Sequence, residues 1–141
     1  MKKNKQKGFG ISLQYLPYPF DLYVSFGQSL DDVNKYIQKS IPEFNAHKEL
    51  GDIGGVGHGR TLEFKSGQMM IYLPFIPVLT TPTDMALLQH EIFHAVHLHF
   101  ERLGTPLIES TQEVYAYMIQ YLTVEILDAI KTLDKLHKYA K

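Results

Sequence analysis

The chain has 141 residues, is 45% hydrophobic and 12% aromatic, and carries a formal net charge of -1. That is long enough for one domain with its own core and too apolar for a disordered chain, while no run of about 18 apolar residues could span a bilayer. The absence of cysteine excludes disulfides, thiolate nucleophiles and cysteine zinc sites, so any metal must take nitrogen and oxygen ligands.

The opening MKKNKQK holds four lysines, which are expected to form a solvated tail over residues 1–8 of a single domain spanning 1–141. Without those four lysines, ten basic residues face fifteen acidic ones, which argues against a nucleic-acid partner. GFGISLQYLPYPF is broken by glycine and proline and lacks the apolar core and cleavage site of a signal peptide. The expectation is a cytoplasmic protein with no membrane partner.

DLYVSFG, from Asp21, alternates apolar and polar residues and ends at glycine, as a half-buried strand does. Ser29 then caps a helix whose first turn is acidic and whose Leu30, Val33, Tyr36 and Ile37 share a face; it ends before Pro42. GDIGGVGHGR lacks both the Lys-Ser/Thr of a P-loop and the G-x-G-x-x-G spacing, so it reads as a flexible loop with His58 in solvent. TLEF and QMMIYLPF are two strands joined by a tight turn at Lys65-Ser66-Gly67. Prolines at 74, 77 and 82 then keep the chain extended. Thr83 or Asp84 should cap the next helix, which runs to about Arg102 and stops at Gly104. Thr105-Pro106 and the capping box Ser110/Glu113 compete to start a long final helix, free of proline and glycine, that reaches about Tyr139. The order predicts an α+β fold.

The chemistry lies in HEIFHAVHLHF, His90 to Phe100. Each helical residue advances about 100°, so His94 sits one turn above His90 and only about 40° round, and the two imidazoles can offer nitrogens to one ion. Glu91, about 100° aside, is badly placed to chelate with them but can reach a water on the metal. Two ligands and one adjacent base make H-E-x-x-H a hydrolytic pattern. The apolar residues around this helix predict burial of the histidine stripe, which would then require something to bind it. A di-iron carboxylate bundle would need two Glu-x-x-His pairs, and Glu91–His94 is a single one. His97 shares the stripe and could touch the site, whereas His99, about 180° from His90, should face away.

A catalytic zinc takes three protein ligands. TPLIESTQEVYAYMIQYL offers Glu109 and Glu113, on one polar stripe with Tyr117 and Gln120. Its apolar neighbours predict a buried carboxylate in need of a cation, although each glutamate could also serve only at the helix start.

HEIFHA, followed nineteen positions after His94 by Glu113, resembles the gluzincin branch of the zincin metallopeptidases. The short length and the run EVYAY are similar to small zincin-like proteins of phage and mobile elements. The similarity covers roughly Gln68 to Glu125. It implies a minimal zincin-like fold: a small sheet of three or four strands, an N-terminal helix, the H-E-x-x-H helix and a long glutamate-bearing helix. It further implies one Zn2+ per chain held by His90, His94 and Glu113, with Glu109 the alternative third ligand, Glu91 as catalytic base, and Tyr117 or His97 stabilising the transition state. MMIYL would be the edge strand beside the cleft, and the partner a peptide or protein substrate paired along it. Many gluzincins carry an aspartate four residues after the ligand glutamate; here that position is Tyr117. The rival expectation is a catalytically inactive zincin-like protein with a structural metal, serving as a binding module.

Overall fold

The computed structural model describes residues 7–15, 20–51 and 58–139. The expected N-terminal tail lies outside the described residues as far as residue 6, and so does the glycine loop over residues 52–57. The fold is α+β, with four strands and four α-helices among the described residues: β1 Phe9–Tyr15, β2 Phe20–Phe26, α1 Leu30–Ile37, α2 Ala46–Leu50, β3 Arg60–Glu63, β4 Met69–Leu73, α3 Pro82–Arg102 and α4 Gln112–Tyr139. The sheet runs β1-β2-β4-β3 and is mixed: β2 and β4 are parallel, the outer pairs antiparallel.

Helices cover both faces of this sheet. Phe20, Leu22, Val24 and Phe26 alternate down β2 and meet Met69, Ile71 and Leu73 of β4 over the buried stripes of α3 and α4. Tyr23, Met70 and Tyr72 point the other way, onto Val33, Ile37, Phe44 and Leu50 around α1 and α2. Because β4 is buried on both faces, its sequence is a continuous apolar run rather than an alternating one. That run places it inside the sheet, so MMIYL is not the edge strand; β3 is.

Local signals explain most boundaries. Ser29 caps α1 by accepting the Asp32 N–H at 3.1 Å. α3 starts at Pro82 after Thr81, two residues before the expected cap at Thr83 or Asp84, because proline suits the first helical position and Asp84 instead accepts the Val78 N–H at 2.8 Å. It ends at Arg102, with Gly104 at φ +72° supplying the left-handed residue that closes the helix. The final helix follows neither expected start. A 3-10 turn, Glu109–Thr111, leads into it, and Thr111 Oγ1 both accepts the Ile108 N–H at 2.9 Å and donates to Pro106 O at 2.6 Å. α4 then runs unbroken. Among the described residues no helix is long and apolar enough to cross a membrane.

Candidate functional site

α3 lies on the sheet with one side of its circumference in the core. Leu88, Ile92, Ala95, Val96, His99 and Phe100 are buried, so residues about half a turn away must face out. His90 and His94 are therefore exposed, which corrects the expectation of a buried histidine stripe. Their rings stand at 77° with centroids 4.7 Å apart, and the two Nε2 atoms converge to 3.1 Å.

Glu91, the next residue round, turns under the edge of the sheet and is only 4% exposed. Thr61 of β3 donates its hydroxyl to Glu91 Oε2 at 2.6 Å, and that Thr61 hydroxyl also lies 3.2 Å from the Glu91 main-chain oxygen. The edge strand and α3 enclose a cleft of about 300 Å³ lined by Thr61, His90, Glu91, His94 and His97. A second groove, bordered by His58 and Gly59, adjoins it at His90 and Glu91. His97 stacks on Phe93, centroids 5.9 Å apart and rings 3° from parallel.

α3 and α4 run antiparallel, with Gln89 Nε2 donating to Thr123 Oγ1 at 3.0 Å and Phe100 against Tyr115 at 4.9 Å. Tyr115 is buried and donates to Thr105 O at 2.7 Å; burial first, and the charge of Glu101 second, push its pKa up, so it stays a proton donor. Tyr115, Met118, Leu122, Ile126 and Ile130 form the buried stripe of α4. Glu113, Tyr117 and Gln120 lie roughly 140–200° round from Tyr115, and all three are exposed. The expected burial of Glu113 is thereby corrected: its charge is solvated and needs no cation for that reason alone. Glu109, in the 3-10 turn, is exposed too, and Tyr117 is 68% exposed.

The structure thus brings together His90, Glu91, His94 and His97. Among the described residues no third His, Asp or Glu joins His90 and His94 in a group able to hold a metal ion. The two Nε2 atoms are within hydrogen-bond distance of each other, and two nitrogens at 2.0–2.1 Å from one zinc in tetrahedral array would stand about 3.3 Å apart, so the separation is compatible with either. His99 faces away as expected but is far from bland. It is 3% exposed, sits edge-on to Phe20 at 4.9 Å, and its Nε2 has no partner among the described residues. Desolvation lowers its pKa.

Sequence reasoning missed Thr61 and Gly59. Both lie some thirty residues from Glu91, and no local pattern links them to it. Compared with protein-family models, curated proteins and solved structures, the chain matches none.

Proposed function

We propose that this chain is a zinc-dependent hydrolase that cleaves peptide bonds, a minimal gluzincin-like metallopeptidase domain. The observation that supports it most is the division of labour in one cleft: two histidine Nε2 atoms meet at 3.1 Å while the intervening glutamate is held apart from them by Thr61. The 3.1 Å approach is also a hydrogen-bond length for a neutral imidazole pair, so the zinc measurement below decides between the two.

In this reading His90 and His94 hold the ion and Glu113 completes the set from α4, with Glu109 the alternative. Zinc supplies Lewis acidity, lowering the pKa of water towards about 7 and polarising a carbonyl. The chain's own groups do the rest. Glu91 takes a proton from the attacking water and passes it to the leaving amine nitrogen. His97, already in the cleft, is better placed than the exposed Tyr117 to donate a hydrogen bond to the carbonyl oxygen as negative charge builds on it.

Elemental analysis of untagged protein should find close to one zinc per chain. Glu91→Gln should keep that zinc and lose about a hundred-fold or more in peptide turnover. A metal-free protein whose melting ignores added zinc would sink the reading. A second reading, a zinc-holding binding module without activity, is favoured by the exposure of both candidate third ligands. Zinc-loaded wild type that leaves a broad peptide library uncut would select it.

A further inference from the structure

We infer that the start of β3, Gly59 to Thr61, is a built seat for Glu91, in which Thr61 is the positioning residue that orients the base; this rests on the hydrolase reading above. Two independent features of the edge strand meet at that one side chain. The first is the Thr61 hydroxyl, donated to Oε2 at 2.6 Å, a length typical of an O–H bond to a carboxylate. Thr61 thus holds one of the two carboxylate oxygens directly from the edge strand. The second is Gly59. A Cβ there would come within 3.0 Å of Glu91 Cγ, 2.6 Å of Leu73 Cδ2 and 3.2 Å of Tyr72 O, so the glutamate's stem occupies the space a side chain would take.

A free glutamate has three rotatable bonds and would sample the cleft widely. Here the stem rests on the glycine, one oxygen is tied to the strand, and the residue borders the cleft. β3 is in turn fixed to the sheet by antiparallel pairing, Thr61 opposite Ile71 and Arg60 opposite Tyr72. The orientation of the base is therefore set by the sheet, while the histidine pair is set by α3 alone. Proton transfer depends steeply on donor–acceptor geometry, so what the seat supplies is a rate advantage at the chemical step rather than affinity for substrate.

The test compares Thr61→Val, which keeps the β-branched shape and removes the hydroxyl, with Thr61→Ser, which keeps the hydroxyl. Thr61→Val should lower kcat roughly ten- to hundred-fold, the worth of one hydrogen bond to a charged group. KM should stay within about twofold, and Thr61→Ser should recover most of kcat. In a Glu91→Gln background the valine change should have little further effect on kcat. A readout independent of activity comes from melting temperatures of the four proteins in a Thr61→Val, Glu91→Ala cycle with chelator present: both changes remove the same hydrogen bond, so the two losses should be non-additive. Additive melting losses, or full kcat in Thr61→Val while Glu91→Gln is inactive, would overturn the role of Thr61 and leave the hydrolase reading standing. Wild type without turnover would remove the hydrolase reading and the catalytic role with it, while the melting cycle would still decide whether the two side chains are coupled.

Discussion

Replacing His99 with leucine should stabilise the protein, and more so in acid. In the folded chain the His99 ring is 3% exposed and its Nε2 is buried without a partner among the described residues. An unpaired buried polar atom costs about 1–3 kcal/mol. Losing the edge-on contact with Phe20 gives back about 0.5–1.5 kcal/mol, so the net gain at pH 7.5 is about 1 kcal/mol. Unfolding entropy near 2.1 cal/mol/K per residue, over 141 residues, is about 0.3 kcal/mol/K, and the melting temperature should rise by about 3 °C. The pH dependence has a definite sign. Burial lowers the folded pKa of His99 below its ordinary 6.5, so the unfolded chain binds the proton more readily. The stability linked to this group is complete above about pH 6.5 and falls as the pH drops towards the folded pKa. The gap between His99→Leu and wild type should therefore widen at pH 5.5. Circular dichroism melts at the two pH values, with chelator present to silence metal-linked titration, measure it. An equal gap at both pH values, or a leucine variant that melts lower at pH 7.5, would refute the reasoning.

Chelator-competed zinc titration should show large losses of affinity for His90→Ala and His94→Ala alike, since the two Nε2 atoms lie 3.1 Å apart and each would supply one ligand. Glu113→Ala should weaken zinc strongly and Glu109→Ala by only a few fold; the reverse order makes Glu109 the ligand, and two small losses direct the search to His58 in the adjoining groove. Arg102 donates to Lys65 O at 2.8 Å and lies 3.6 Å from Glu63 Oε1, pinning the end of α3 to the β3–β4 turn. Arg102→Ala should cost about 1–2 kcal/mol, or about 3–7 °C. It should also speed amide exchange in the turn while leaving zinc affinity unchanged.

Residues whose structure is decided by near neighbours were legible. Ser29, the Lys65-Ser66-Gly67 turn and Gly104 each act within a few positions, and each does what its chemistry demands, whereas the connection before α3, expected to be extended, turns at residues 79–80. β1 was missed although Phe9, Ile11 and Leu13 alternate, because flanking glycine and proline masked a strand that exists by pairing with β2. The five-residue α2 is too short for a periodic signal, though Asn45 caps it by accepting the Lys48 N–H at 3.2 Å. At the site, periodicity put His90 and His94 on one stripe and His99 opposite. It could not tell which side of α3 meets the sheet, since apolar residues nearly encircle the helix; that choice is tertiary, and it exposed the histidines and buried Glu91. Glu113 was misjudged for the same reason.

Among the described residues the lining of the cleft comes from one continuous piece of chain, Gly59 to Leu98, holding β3, β4 and most of α3 in succession. β1, β2, α1 and α2 lie on the far side of β4 or beneath it and add no wall to it. A saturation library over residues 7–51 should therefore divide cleanly into variants that fold and variants that do not, with turnover per folded molecule nearly constant. The segment 59–98 should yield the third kind, folded and inert, and a synthetic cassette spanning those codons would carry the lining of the cleft to another member of the same architecture as a single block.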